Sequence, residues 1–286
     1  MTPRRASVLI FFVALFSGII FLIYLTSRYF HEEVLKVTFL DVGQGDAIFI
    51  EGPTGLQMLI DGGFDRSVLR RLNAHMSFAD RTLDVVLATH PDADHIGGLI
   101  SVLERYDVTH IFHAGVLTDT PAYKNFESDR TASSALSRVS VRNTIIDIGG
   151  GAYVRILFPD RRLSETTETN QASAIVEVVY GEVEFLLTGD APQSTENYVV
   201  ALEGPDIKSD VLKAGHHGSK TSSSEYFVRA VDPAYAIVSA GKDNRYGHPH
   251  KEVIDRFTSS GAMIFATYDH GDVTFKTDGK TLWLAK

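Results

Sequence analysis

The chain contains no cysteine and has no excess of basic residues. Without cysteine there is neither a disulfide framework nor a thiolate zinc site, so a transition-metal site would have to use His, Asp, Glu or Asn. The 27 Lys and Arg against 36 Asp and Glu give a formal net charge of -9, which argues against a broad basic surface that wraps nucleic acid. A nucleic-acid substrate remains open, because a bound metal pair supplies positive charge where a phosphate must lie.

The N-terminal part of the chain has a long stretch without charge. Residues 6–26 are strongly apolar and close in length to the roughly 20 residues that cross a bilayer as a helix. We therefore predict a short tail over 1–5, a single transmembrane helix over 6–26 and a linker over 27–33. Arg4 and Arg5 precede the helix, which favours a cytoplasmic N-terminus and places the rest of the chain outside the cytoplasm. A cleaved signal peptide is the alternative, but the apolar run is long for one and no small-x-small site follows it cleanly.

The remaining residues, 34–286, predict one α/β domain, in which a β-meander is followed by alternating helices and strands. The two halves have similar β-then-α composition, which suits two sheets packed face to face with helices outside. The predicted strands cover 34–41, 47–51, 56–60, 84–89, 109–112, 153–158, 174–180, 184–188, 210–214, 235–239, 263–266, 273–276 and 282–284. The predicted helices cover 65–79, 96–105, 193–202, 223–230 and 250–259. Residues 114–150 are polar and are predicted to form an irregular excursion over one face.

The strongest chemical signal is a turn rich in His and Asp that directly follows the strand predicted over 84–89. The turn reads His90-Pro-Asp92-Ala-Asp94-His95. Imidazole and carboxylate groups so closely spaced suit zinc, manganese or iron, and two metals about 3.5–4 Å apart can share ligands from one loop. Solvated turn carboxylates are the alternative, but they leave the two histidines at this junction unexplained.

Four further strands end in groups that can bind a metal. Each of these groups alone would suit a capping or turn role, whereas together they indicate a metal site at the carboxyl ends of several strands. The groups are Asp61 after the third strand, Asp190 after Phe185-Leu-Leu-Thr-Gly, the pair His216 and His217 after Val211-Leu-Lys-Ala-Gly, and the loop histidines His248 and His250.

Taken in order, these motifs resemble the metallo-β-lactamase-like domain of ComEC-type DNA-uptake proteins and their stand-alone relatives. The resemblance spans residues 34 to about 284. The wider superfamily has the signature His-x-His-x-Asp-His, and Asp92 takes the place of the middle histidine, as is typical of the ComEC-like branch. The extra carboxylate shifts the metal preference from zinc toward harder ions such as manganese. The motifs are Asp41-Val-Gly-Gln44-Gly-Asp46, Asp61-Gly-Gly, His90-x-Asp92-x-Asp94-His95, Thr188-Gly-Asp190, His216-His217-Gly-Ser219 and Gly247-His248-Pro249.

The resemblance implies an αββα sandwich with two divalent metal ions, zinc or manganese, in a groove at one edge of the paired sheets. It assigns the first metal to His90 and Asp92 and the second to Asp94 and His95, with Asp190 bridging them. One of His216 and His217, with the second favoured, would complete the second metal's ligands. No histidine takes the place that the superfamily usually fills on the first metal, and Asn170 is the best-placed substitute. Asp61 is expected to orient the ligands through hydrogen bonds.

The implied chemistry is hydrolysis of a phosphodiester by a hydroxide held between the two metals. The sequence offers Lys213, Ser219 and Lys220 as donors to the substrate phosphate and His248 as the group that protonates the leaving oxygen. Asp94 and His248 are thus the predicted catalytic residues.

The leading functional hypothesis is a nuclease that acts on DNA outside the cytoplasm, anchored in the membrane by its N-terminal helix and served by a membrane DNA-uptake partner. Hydrolysis of another cell-envelope phosphoester, such as a choline or teichoic-acid phosphate, is the enzymatic alternative. A non-catalytic anchored module that binds DNA or a partner protein is the alternative from a different class. β-Lactamase activity is disfavoured, because Asp92 and His-His-Gly-Ser do not match those enzymes.

Overall fold

The structure is a computed structural model that describes residues 12–22 and 33–285. The chain divides into two units, Met1–Glu33 and Val34–Lys286. In the first unit, residues 12–22 are helical, and the rest of the segment predicted over 6–26 lies outside the described residues. Within the described ranges, no helix combines the length and apolar character needed to span a bilayer. The transmembrane helix therefore stays a prediction.

The second unit begins with a sheet that is antiparallel at one side and parallel at the other. Its strands are β1 (Leu35–Phe39), β2 (Ile48–Glu51), β3 (Gln57–Ile60), β4 (Thr82–Ala88), β5 (Asp107–His113), β6 (Leu136–Val139), and two strands from the end of the chain, β14 (Val273–Thr277) and β15 (Leu282–Leu284). Their order in the sheet is β15-β14-β1-β2-β3-β4-β5-β6. Pairing is parallel from β3 to β6, because helical crossovers connect β3, β4, β5 and β6.

The other sheet has the same mixed design. Its strands are β7 (Ile145–Gly149), β8 (Ala152–Phe158), β9 (Ile175–Tyr180), β10 (Val183–Leu187), β11 (Val211–Lys213), β12 (Tyr235–Val238) and β13 (Met263–Ala266). Their order is β13-β12-β11-β10-β9-β8-β7, with parallel pairing from β10 to β13. The carboxyl ends of β10 and β11 thus lie side by side, as do those of β3 and β4 in the first sheet.

The core lies between the two sheets, and helices cover both outer faces. Inward-facing apolar side chains from both sheets meet in one cluster, in which Phe275 packs edge-on against Phe39 and Phe185, with ring centroids 6.4 and 6.1 Å apart. The first sheet is covered by α1 (Ser67–His75), α2 (Ala93–Leu103) and α3 (Pro121–Ala132), and the second by α4 (Gln193–Glu203), α5 (Glu225–Val231), α6 (Lys251–Ser260) and the short α7 (Thr267–His270). The predicted αββα sandwich is confirmed.

The predicted strands and helices match the observed ones to within a few residues, except over 114–150. The prediction of an irregular excursion there is wrong, because this stretch contains α3, β6 and β7. Their apolar patterning is weak: α3 buries only Phe126, and most of β6 is exposed. The start of α3 did carry a local signal, since the Thr120 hydroxyl caps it by accepting from the Tyr123 N–H and Pro121 opens its first turn.

Candidate metal centre

Loops from both sheets bring the predicted ligands together at the carboxyl ends of their strands. Asp61 directly follows β3, and the turn that begins at His90 follows β4. On the other sheet, Asp190 follows β10, and the pair His216 and His217 follows β11. Because the two sheets pack face to face, the four loops border one site, as the patterning of ligands at strand ends indicated.

Asp61 holds the ring of His95 in a fixed orientation. Both side chains are fully buried, and the His95 Nδ1–H donates to Asp61 Oδ2 over 2.8 Å. Asp61 is itself fixed by Thr89, whose backbone N–H donates to Oδ1 over 2.8 Å and whose hydroxyl donates to Oδ2 over 2.7 Å. The opposite nitrogen, His95 Nε2, is left to face Asp190 Oδ1 at 3.2 Å. Asp61 therefore acts on the site through His95, in the orienting role that the resemblance implied.

Close backbone contact between α2 and the turn after β3 brings His95 within hydrogen-bonding distance of Asp61. The His95 carbonyl, in the first turn of α2, accepts from the Gly62 N–H over 2.7 Å. A Cβ at Gly98, one turn later, would lie 1.9 Å from the Gly62 carbonyl oxygen. Any side chain at Gly98 would push the helix away, so glycine is required here for His95 to reach Asp61.

The paired histidines after β11 are both held in left-handed backbone conformation, with φ of 48° at His216 and 56° at His217. The His217 Nδ1–H donates to the Ser239 carbonyl over 3.0 Å, and His216 Nδ1 lies 3.1 Å from Thr221 Oγ1. The two Nε2 atoms lie 3.4 Å and 3.6 Å from Asp190 Oδ2. The strained turn thus presents both rings to the same carboxylate.

Asp190 lies at the centre of the ligand set. Its carboxylate oxygens are 3.2 Å from His95 Nε2, 3.4 Å from His217 Nε2, 3.6 Å from His216 Nε2 and 4.0 Å from His90 Nε2. A buried carboxylate among four imidazoles fits the binding of a divalent cation, and the bridging role that the resemblance implies for Asp190 stays a prediction.

The remaining aspartates of the His-Asp turn lie at the open side of this cluster. Asp92 Oδ2 is 3.6 Å from His90 Nε2, and Asp94 Oδ2 is 3.3 Å from His217 Nε2. Their side chains are 38% and 25% exposed, against 3% for Asp190, so these two carboxylates border the entrance from solvent. A substrate would meet Asp92 and Asp94 before it reached Asp190.

The unpartnered polar atoms of the site fit divalent cations. The Nε2 atoms of His90, His95 and His217 and Oδ1 of Asp190 are buried without a hydrogen-bond partner. Buried polar atoms are nearly always paired in folded proteins, so several unpartnered ones that converge on one point are suited to binding a positive ion. The Nδ1 atoms of the three histidines contact Thr89, Asp61 and Ser239, which is how metal-binding histidines are usually fixed.

Strong electrostatic coupling links these groups. Burial alone would raise the pKa of Asp190, but His217 and His95 hold it well below its usual range. Burial likewise opposes protonation of His95 and His217, yet the Asp190 carboxylate, with Asp61 for His95 and Asp46 for His217, raises the pKa of each ring well above its usual value. Protons therefore balance the carboxylates, and a divalent cation would displace them on binding.

Asp46 belongs to the cluster although it was not among the ligands expected from the sequence. Ligand atoms of Asp46, His95, Asp190 and His217 all lie within 4.8 Å of one another. Asp46 comes from the loop between β1 and β2, where it follows Gly-Gln-Gly rather than an apolar strand. The only sequence signal was its place in the motif that begins at Asp41.

The position of Lys213 contradicts its predicted role as a donor to the substrate phosphate. Its side chain is fully buried, its Nζ donates to the Gly189 carbonyl over 3.1 Å, and the same atom lies 2.5 Å from Asp46 Oδ2. A cation held this way is not accessible to a substrate. It neutralises Asp46 instead, which leaves His95, His217 and Asp190 as the members of the four-residue group without a lysine contact.

The other predicted substrate contacts lie near the rim. Ser219 is buried, and its Oγ accepts a hydrogen bond from the Thr221 hydroxyl over 3.0 Å. Lys220 is exposed, and its backbone N–H donates to His250 Nδ1 over 3.2 Å. Of the predicted phosphate donors, Lys220 is therefore the one whose charged side chain lies at the surface, where a substrate phosphate can reach it.

Asn170 and His248 are the two remaining site residues predicted from the sequence. Asn170 begins a single 3-10 turn, its Oδ1 is buried and unpartnered, and the neighbouring Thr169 hydrogen-bonds to Asp92. The ring of His248 lies 5.5 Å from that of His216. Burial and the nearby imidazoles lower the pKa of His248 to about 4, so the ring is neutral at pH 7. The neutral His248 ring can donate a hydrogen bond to a leaving oxygen, but at pH 7 it does not carry the extra proton of an imidazolium acid.

Comparison with known proteins agrees with this arrangement. The sequence model of the Metallo-beta-lactamase superfamily matches residues 40–242. ComE operon protein 3 of Bacillus subtilis is 29% identical over 259 residues, which cover 84% of this chain and 33% of the relative. Recombination protein 2 of Haemophilus influenzae is 32% identical over 243 residues, or 83% of this chain and 28% of that protein. The chain thus spans well under half the length of these curated relatives.

Solved structures show the same fold at low sequence identity. The metallo-β-lactamase fold protein YhfI from Bacillus subtilis superposes with a TM-score of 0.55 at 13% identity, covering 88% of this chain and 100% of that one. The family match extends over most of the chain and contains the His-Asp turn, Asp190 and the paired histidines. The chain belongs to the metallo-β-lactamase superfamily, whose members are generally metal-dependent hydrolases, and its relatives include ComEC-like competence proteins.

Proposed function

We propose that this chain hydrolyses phosphodiester bonds and that its substrate is DNA. The observation that carries the proposal is the set of unpartnered imidazole nitrogens around the Asp190 carboxylate, which suits a pair of divalent cations, zinc or manganese. Such a pair supplies Lewis acidity toward phosphoryl oxygens and lowers the pKa of water. The choice of DNA is supported by the name of one relative, Recombination protein 2, and by the likeness of the chain to competence proteins.

The residues of the chain have separate tasks in this reaction. Asp190 lies between His95, from the first sheet, and His217, from the second, and offers its carboxylate to the metal site. Asp61 keeps the His95 ring turned so that Nε2 faces the site. Asp94 is placed at the entrance, where it fixes one side of the metal site and can orient the attacking water. The neutral His248 ring offers a hydrogen bond to the leaving oxygen, and the exposed Lys220 offers its charge to a flanking phosphate.

The proposed location follows from the N-terminal sequence. A helix over 6–26 would anchor the chain in the membrane, and the charges of Arg4 and Arg5 favour a domain outside the cytoplasm. In that location the substrate is incoming or extracellular DNA, and a membrane DNA-uptake protein is the partner that would deliver it.

The test measures hydrolysis of bis(p-nitrophenyl) phosphate and of fluorescently labelled single- and double-stranded DNA by the full chain in detergent micelles, with zinc or manganese added. Asp94→Ala serves as the inactive control. We expect wild-type protein to cleave the small ester and DNA, and the variant to lose both activities by at least about 100-fold. Cleavage of the ester alone would redirect the proposal to an envelope phosphoester. Bound metal without any cleavage would overturn it in favour of a binding module.

A further inference from the structure

The loop after β12 carries a series of contacting side chains that begins next to the metal centre, where the His216 and His248 rings meet edge-on with an interplanar angle of 75°. The rings of His216 and His248 lie 5.5 Å apart, and the Tyr246 ring stacks on that of His248 with a centroid distance of 5.7 Å and an interplanar angle of 24°. The Arg245 guanidinium carbon lies 4.8 Å from the Tyr246 ring centroid. The stack therefore leads from a candidate metal ligand to the surface.

The side chain of Asn244 holds the loop in shape through several hydrogen bonds. Its Nδ2 donates to the carbonyls of Gly241 and His248 over 2.9 and 2.6 Å, and its Oδ1 accepts from the backbone N–H groups of Tyr246 and His248, each over 3.1 Å. Four hydrogen bonds from one amide fix the loop before any ligand arrives. A ligand that stacks here consequently loses little free energy to ordering of the loop.

The outer end of the stack carries the charge of Arg245, whose guanidinium lies over the Tyr246 ring and donates a hydrogen bond to the Tyr246 hydroxyl. Tyr246 is 48% exposed, and no partner within the described residues covers its ring beyond His248 and Arg245. Arg245 lies close enough to Asp94 for the two charges to interact. An exposed aromatic ring beside a guanidinium suits a planar group attached to an anion, and the Arg245 charge would repel a quaternary ammonium such as choline.

We propose that Tyr246 and Arg245 form a platform on which an unpaired nucleobase stacks while the adjoining phosphodiester lies at the metal centre. The inference rests on the proposed phosphodiesterase function and adds to it a substrate class, single-stranded polynucleotide. In a duplex the faces of each base are covered by its neighbours, so only an unpaired base can use the platform. A phosphoester that carries no nucleobase would gain no affinity from the platform.

The experiment compares two ligands that have equal charge but differ in their bases. We would measure the dissociation constants of a fluorescent phosphorothioate oligothymidylate and of an abasic phosphorothioate strand of the same length, using the full chain in detergent micelles with manganese. The phosphorothioate linkages slow cleavage during the measurement. Because stacking on an aromatic side chain strengthens binding by about 5- to 160-fold per base, wild-type protein should prefer the thymidylate by a factor in this range.

Variants separate the platform from general charge attraction. Tyr246→Ala should bring the preference for thymidylate to within about twofold of none, whereas Tyr246→Phe should keep it. Tyr226, on α5, is also exposed, and Tyr226→Ala is the matched control that should retain the preference. Arg245→Lys keeps the charge but removes the plane, so it should reduce the preference while binding of the abasic strand is retained.

The outcomes separate this inference from the proposed function. Equal affinity of wild-type protein for both strands, or a loss in Tyr246→Ala that is the same for both, overturns the platform. Hydrolysis of bis(p-nitrophenyl) phosphate is measured in parallel and reports on the phosphodiesterase alone. If the ester is cleaved while the thymidylate and the abasic strand bind with equal affinity, the proposed phosphodiesterase function is supported and the platform is refuted.

Discussion

Replacing Asp61 by asparagine should weaken metal binding without unfolding the protein. In the neutral ring that binds a metal, the carboxylate sets the tautomer of His95: it accepts from Nδ1–H over 2.8 Å, so the remaining proton stays on Nδ1 and Nε2 is open to the metal. The Thr89 backbone N–H donates to Asp61 Oδ1 over 2.8 Å and so pins the orientation of the new amide with its oxygen toward Thr89. The amide nitrogen then faces His95 and donates to Nδ1. The imidazole proton must move to Nε2, where it blocks the metal.

The size of the effect can be judged from this geometry. The buried orienting hydrogen bond is reversed and the wrong tautomer is imposed, and such changes beside metal ligands typically cost about 10- to 100-fold in affinity. This range corresponds to about 1.4 to 2.7 kcal/mol. Asparagine is the suitable replacement, because Asp61 has a φ of 58° and asparagine tolerates this conformation better than alanine.

The assay is competition for zinc or manganese between the full chain and a chromophoric chelator, with thermal unfolding followed in parallel. The matched control is Asp272→Asn. Asp272 Oδ2 lies 2.9 Å from His75 Nε2 in a second carboxylate–histidine pair, which joins the start of β14 to α1 rather than to the metal centre. Asp272→Asn should leave metal affinity unchanged. An Asp61→Asn protein that remains folded and binds metal as tightly as wild type would refute the orienting role.

Three further outcomes follow from buried groups near the site. Lys213→Met leaves the Asp46 carboxylate buried without its cation, so the free energy of unfolding in a urea titration should fall by about 3–5 kcal/mol, and adding Asp46→Asn should recover part of the loss. Burial raises the pKa of Glu196 to about 7 against 4.5 in the unfolded chain, so the folded state binds this proton more tightly. The resulting contribution to the free energy of unfolding, up to about 3 kcal/mol, should be present below pH 4.5 and lost as the pH rises through 7. Glu196→Gln, which mimics the protonated acid, should flatten that part of the melting-temperature profile, and an unchanged slope would contradict the assignment. Gly98→Ala should lower both the melting temperature and metal affinity, because its Cβ would lie 1.9 Å from the Gly62 carbonyl oxygen, and a fully stable, metal-binding variant would show that α2 can shift without cost.

Much of the fold could be predicted from the chain itself, because local patterning and topology agree. Strands such as β4 and β10 are apolar runs that end abruptly in polar turns, which is the pattern of buried strands in an α/β sandwich. Placement of His90, Asp190 and His217 at such strand ends was sufficient to indicate that they meet at one edge. The 114–150 stretch lacked this contrast, since α3 and β6 bury few side chains.

What the sequence could not decide is which charges would neutralise one another. In β11, Val211 packs between the sheets and Leu212 on the outer face, so alternation directs Lys213 inward, and this direction could have been read from the pattern. Its partner, Asp46, comes from a loop of the opposite sheet, and only the packing of the two sheets brings the atoms to 2.5 Å. The sequence by itself determined the sandwich and the placement of His and Asp side chains at the ends of its strands. The tertiary structure decided which carboxylate faces the metal centre and which is held by a buried lysine, because that depends on distances between segments that no local pattern encodes.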